Sequence, residues 1–118
     1  MDEHGARAIL NEIIDPCSAA RGVPIGLADM GMVRAVEVVS DDDGFGIEAT
    51  LRITSPGCML AMDFEQQARL MFADAGATWV RIHWDTTFDW THNDIAGPAR
   101  ERLARHRLKL VAAAASRR

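Results

Sequence analysis

No apolar run in the chain approaches the roughly 18 residues that a membrane-spanning helix needs, although 48% of its 118 residues are apolar. No linker rich in Pro, Gly or Ser and no internal repeat divides it, so one domain is expected over residues 1–108, followed by a basic Ala/Arg tail over 109–118. Cysteine is scarce. Cys17 and Cys58 are the only two, and no CxxC is present, so neither a zinc ribbon nor a thioredoxin-type redox motif is supported. A cytosolic pair of thiols is rarely a structural disulfide. A Gly-rich phosphate loop, a nucleophile elbow and a Ser-His-Asp order are also missing. The start, Met1-Asp2-Glu3-His4, is acidic and unlike a secretory or mitochondrial leader. The expected location is cytoplasmic, with no membrane partner.

The charges are unevenly distributed. Residues 1–99 carry 6 Arg against 16 Asp and Glu, whereas residues 100–118 carry 7 basic residues against 1 acidic one. A basic end can contact an acidic partner or nucleic acid. Nucleic acid would have to approach an acidic body and is not the expected partner. The bland reading of the basic end is a solvated helix face and a frayed terminus.

Hydrophobic spacing predicts a first helix over residues 5–15. Ala6, Ile9, Leu10, Ile13 and Ile14 form one stripe and Pro16 ends it. Residues 16–31 read as a loop punctuated by Gly22, Pro24, Gly26 and Gly31, with Ile25, Leu27 and Met30 turned toward the core. Residues 32–39 and 45–54 read as a hairpin around the Asp41-Asp42-Asp43-Gly44 turn. In its second strand Phe45, Ile47, Ala49, Leu51 and Ile53 face the core. The Asp41–Asp43 run lacks the other ligands of a calcium loop. Ser55-Pro56-Gly57 breaks the strand. A helix over about 58–75 follows, with Gly76 as its C-terminal cap, then a strand over 78–85 and a last helix from near Pro98. The expected fold class is α+β: a two-layer α-β-β-α-β-α chain with a three-stranded sheet and its helices mainly on one face. The other face, with Trp79 beside Arg81, is left for solvent or a second subunit, and a homodimer is expected.

Cys58 is the most informative residue. It is predicted to open a helix directly after a strand, where free N–H groups and the positive dipole end favour a thiolate. Read alone, it is equally a small buried residue at a strand–helix junction. Cys17 follows the first helix in Asp15-Pro16-Cys17-Ser18. If its loop folds back toward Cys58, both thiols can share one soft metal or cluster, with the remaining ligands supplied from outside. The segment from His83 to Asp94 is dense in His and Asp but lacks the i, i+4 spacing of a zinc protease. Thr91 with Asp94 reads as a turn cap.

Taken in order, four motifs resemble the metal–sulfur cluster assembly family, which includes the Suf T-type maturation proteins, the D protein of phenylacetate degradation and the cytosolic iron–sulfur targeting factor. Asp15-Pro16 stands where the family has Asp-Pro-Glu, with Cys17 in place of the Glu. Met30-Gly31-Met32-Val33 leads into the first strand. Thr54-Ser55-Pro56-Gly57-Cys58 matches Thr-x-x-x-Cys, and Met59 replaces the family's following Pro. Asp89-Trp90-Thr91 matches Pro-Pro-Trp-Thr without its prolines. The match runs from about Ile9 to Leu103.

The resemblance implies a non-enzymatic accessory role in maturing an iron–sulfur or di-iron enzyme. Cys58, with Cys17, would hold iron or a cluster transiently, and no cofactor would be tightly bound. Asp15, Thr54, Trp90 and Thr91 would meet the client metalloenzyme. The Asp-Pro-Cys form is similar to the branch that accompanies bacterial multicomponent di-iron monooxygenases. Two alternatives compete: a thiol enzyme with Cys58 as nucleophile, and an RNA-binding-like module, which lacks the Gly-x-x-Gly clamp and the surface aromatics.

Overall fold

The computed structural model describes residues 1–54 and 60–116. Helix α1 (Glu3–Asn11) opens on Asp2, whose carboxylate accepts from Gly5 N, and its inner stripe buries Ala6 and Leu10. The helix predicted to run to residue 15 therefore ends at Asn11. Pro16, read as a stop, instead starts a second short helix, α2 (Pro16–Ala20), with Asp15 as N-cap and proline in its first turn. Proline suits that position because its missing N–H would have no partner there and its φ is already helical.

Strands β1 (Val33–Asp41) and β2 (Gly44–Arg52) form the expected hairpin. They pair antiparallel with Val36 opposite Ala49 and Val38 opposite Ile47. Helix α3 (Ala61–Asp74) buries Phe64, Ala68 and Phe72. Gly76 follows it at φ 104°, the left-handed conformation of a glycine just past a helix end. Strand β3 (Trp79–Asp85) then lies parallel to β2, so the sheet order is β1-β2-β3. A parallel neighbour needs a crossover, and α3 supplies it.

The parallel register places Val80, Ile82 and Trp84 beside Ile47, Ala49 and Leu51. These face the layer of α1 and α3, which pack on the sheet and on each other. Ile25, Leu27 and Met30 join this core, all at most 5% exposed. The opposite face pairs Glu48 with His83 at 2.8 Å and lays the Arg81 guanidinium over the Trp79 ring.

A 3-10 turn over His92–Asp94 leads to the last helix, α4 (Gly97–Ser116). The Ala112–Ala115 run, read as part of a tail, is helical within it. The first half of α4 meets the body: Ala99 is buried, Leu103 half-buried, Arg102 donates to Pro24 O and the His106 ring lies against Gly22, whereas Leu108, Leu110 and Val111 are exposed. Among the described residues no helix is long and apolar enough to cross a membrane.

Candidate functional site

Asp15 and Ser18 fix the segment that carries the first cysteine. The Asp15 carboxylate accepts from Ser18 N at 3.0 Å. The Ser18 hydroxyl donates to Asp15 O at 2.7 Å and accepts from Ile25 N at 2.9 Å. Asp15 N donates to Ile25 O at 2.8 Å. Both side chains are buried, and the Ser18 hydroxyl and one Asp15 carboxylate oxygen are hydrogen-bonded, as burial demands. With Ser18 turned inward, Cys17 on the same short helix is exposed. The buried Asp15 thus has a structural task, capping α2, in addition to its place in the cavity described below.

The segment after β3 is held by ions and caps. Arg34 reaches Asp85 and Asp89, each at 3.1 Å. Arg52 reaches Asp89 at 3.4 Å and Asp94 at 2.9 Å, and its Nε donates to Gly31 O. The Arg34 hydrogen bond lowers the Asp89 pKa to about 2. The backbone N–H of Thr91 lowers that of Asp94, and the backbone N–H of Thr87 lowers that of Asp85. Thr91 and Asp94 form a reciprocal capping box. Phe88, at φ 55°, lies between Thr87, anchored on Asp85, and Asp89, anchored on Arg34. A left-handed non-glycine residue persists where such flanking bonds over-determine it.

These anchors set Trp90 against the body, where its indole Nε1 donates to Met30 O at 2.7 Å. The adjacent Gly31 has φ 76°, and a Cβ there would overlap the carbonyl oxygen of Asp94. The glycine of the Met30-Gly31-Met32-Val33 motif is thereby explained. Only this residue allows the backbone of residues 92–94 to lie against the start of β1.

The result is a cavity of about 130 Å³ in which Asp15, Cys17, Thr54 and Trp90 meet. Three separate parts of the chain supply these four positions, all named from sequence. Ser18 lies beside them, and Arg21, Met30, His92 and Leu103 complete the wall. Sequence reasoning did not select these four, because no local spacing ties them to Cys17. The dense His and Asp segment was the nearest signal, and it divides: His83 turns to Glu48 on the outer face, while His92 turns to the cavity. Thr91 is occupied in its capping box. Cys58, and with it the prediction that it opens a helix, lies outside the described residues. Among the described residues no group of three or more His, Cys, Asp or Glu side chains is placed to hold a metal ion.

No family model and no curated protein matches the chain. Solved structures do. A domain of unknown function, DUF59, from Bacillus anthracis is 19% identical, with a TM-score of 0.71 over 86% of this chain and 91% of that one. Rv1466 from Mycobacterium tuberculosis, described as associated with [Fe-S] complex assembly and repair, is 25% identical, with a TM-score of 0.49 over 87% of this chain and 81% of that one. The first likeness shows that the two chains share a fold.

Proposed function

We propose that the protein is an accessory factor in the assembly or repair of iron–sulfur or di-iron centres, and that it meets its client metalloenzyme at the Cys17 cavity. The observation that carries this reading is the convergence of Asp15, Cys17, Thr54 and Trp90 on one concavity. Distant motif positions gather in this way when they serve one site. An exposed thiol beside an imidazole is a soft donor set suited to iron. Iron or a cluster would be cargo here, held briefly and passed on.

One thiolate does not complete a tetrahedral shell. Cys58 is four residues along the chain from Thr54, a covalent reach of at most about 14 Å, and the client supplies the remaining ligands. The multicomponent di-iron monooxygenase is the client class that the Asp-Pro-Cys form favours. The outer sheet face, with Trp79 and Arg81, is the surface proposed for a homodimer.

The test is iron content and activity of the client in cells carrying Cys17→Ser or Cys58→Ser. Oxygen for sulfur is nearly isosteric, so packing is preserved while affinity for soft iron is lost. Cys58→Ser is expected to deplete client iron strongly and Cys17→Ser less so. Full iron loading with both variants, at normal expression, overturns metal holding. Damage from Trp90 substitutions alone would then point to an adaptor that only binds the client. Anaerobic loading of the purified protein with iron and sulfide supplies an independent readout, a thiolate-to-iron absorption band that each serine variant weakens.

A further inference from the structure

The described arginines fall into two groups. Arg7, Arg34, Arg52 and Arg69 each have a carboxylate partner within 4 Å. Six others have none among the described residues, although the body of the chain is strongly acidic: Arg81 lies over the Trp79 ring, Arg102 donates to Pro24 O, Arg105 is exposed on α4, and the remaining three are Arg21, Arg100 and Arg107. All three line one concavity of about 300 Å³ between α4 and the turn that precedes it. His92 and His106 add two imidazoles to its rim.

Its lining is otherwise apolar. Ile95 is 2% exposed and forms part of the base, with Leu103 and Leu110 along α4. On that helix residues 100, 103, 107 and 110 are spaced i, i+3, i+7 and i+10, so a single face repeats cation and leucine every two turns. Bringing three guanidinium groups to one hollow costs free energy unless an anion enters it. Burying hydrocarbon there returns free energy only to a ligand that has some.

We propose that this hollow binds a small organic anion, a carboxylate carried on a short hydrocarbon body. Inorganic phosphate would use the cations and waste the leucines, and a neutral alcohol would do the reverse. A volume of about 300 Å³ lies at the lower end for small-molecule pockets. Scaled from a cavity of about 150 Å³ that accepts benzene, it holds about a dozen non-hydrogen atoms. The hollow shares Arg21, His92 and Leu103 with the Cys17 cavity, so its occupant lies directly beside the thiol site. The proposal rests on the geometry of the hollow and not on the assembly role, and each can fail without the other.

The experiment is a titration of the full-length protein with octanoate, 1-octanol and inorganic phosphate, followed by calorimetry and by the ring resonances of His92 and His106. Octanoate is expected to bind saturably and to shift both rings, with octanol and phosphate at least tenfold weaker. Arg100→Gln/Arg107→Gln is expected to weaken octanoate at least tenfold. Arg105→Gln/Lys109→Gln, which removes equal charge from elsewhere on α4, is expected to leave it within twofold. These side chains are exposed, so the variants keep the fold, which circular dichroism checks. The proposal is overturned if octanoate fails to bind, binds no better than octanol or phosphate, or loses as much in the control variant.

Discussion

The hydroxyl of Ser18 is a single atom that joins α2 to the segment running back under it, and its removal has a calculable cost. In Ser18→Ala the Asp15 carbonyl keeps a second donor, Ala19 N at 3.1 Å, so it is not orphaned. Ile25 N has only the hydroxyl as acceptor, and Ile25 is 1% exposed. Leaving a buried donor unpaired costs about 1–3 kcal/mol. Alanine's better helix propensity returns at most about 0.5 kcal/mol. The expected net loss is about 2 kcal/mol, a large share of the stability of a small domain, and it lowers the melting temperature by roughly 6–12 °C. Urea unfolding should show a lower midpoint with an unchanged slope, and hydrogen exchange at Ile25 N should accelerate. Ser116→Ala, which removes an exposed hydroxyl bonded to Ala113 O, serves as control and should stay within about 0.5 kcal/mol. A Ser18→Ala loss no larger than the control would refute the view that this bridge holds the wall carrying Cys17.

Three further outcomes are expected. Because the folded pKa of Asp89 is depressed to about 2, its contribution is fully present above the unfolded value of about 4 and is lost as pH falls toward 2. The Trp90 indole N–H resonance should therefore move as pH falls toward 2 in the wild type and move less in Asp89→Asn, where Asp85 and Asp94 still titrate; identical titrations would sink the anchoring role of Arg34. Gly31→Ala meets both a positive φ and the Asp94 carbonyl and should cost about 3 kcal/mol or more in urea unfolding; a loss below 1 kcal/mol would mean that residues 92–94 do not need this close approach. Static light scattering at micromolar concentration should give twice 12.9 kDa if the outer sheet face pairs, and Trp79→Glu should return the monomer; a wild-type particle of 12.9 kDa would end the homodimer proposal.

Regular elements were legible where burial follows a period. The alternation from Phe45 to Leu51 and the stripe through Phe64, Ala68 and Phe72 announced β2 and α3, and Gly76 announced the helix end. Pro16 was ambiguous because the same residue that stops one helix favours the first turn of the next, and the side chain that decides, Asp15, acts through a cap invisible to periodicity. The Ala112–Ala115 run was read by its simplicity rather than by alanine's helix propensity, which carries α4 to Ser116. At the candidate site, Cys17 was legible as a thiol, Asp15, Thr54 and Trp90 came from the family resemblance, and nothing local predicted that the four would meet. What brings Trp90 there is a set of contacts such as Arg34 to Asp89, 55 residues apart, which only the folded chain can bring together.

The length of α4 bears on how the molecule moves through solution. A compact domain of this size has a radius of gyration near 13.5 Å, whereas this chain has 16.5 Å and extends 66 × 26 × 21 Å. A rod of some 30 Å attached to a small body raises friction without adding mass. The monomer should therefore elute early from a sizing column, at the position of a larger globular protein, and diffuse more slowly than its mass suggests. A retention volume alone would mimic the homodimer, and mass must be measured by a method indifferent to shape.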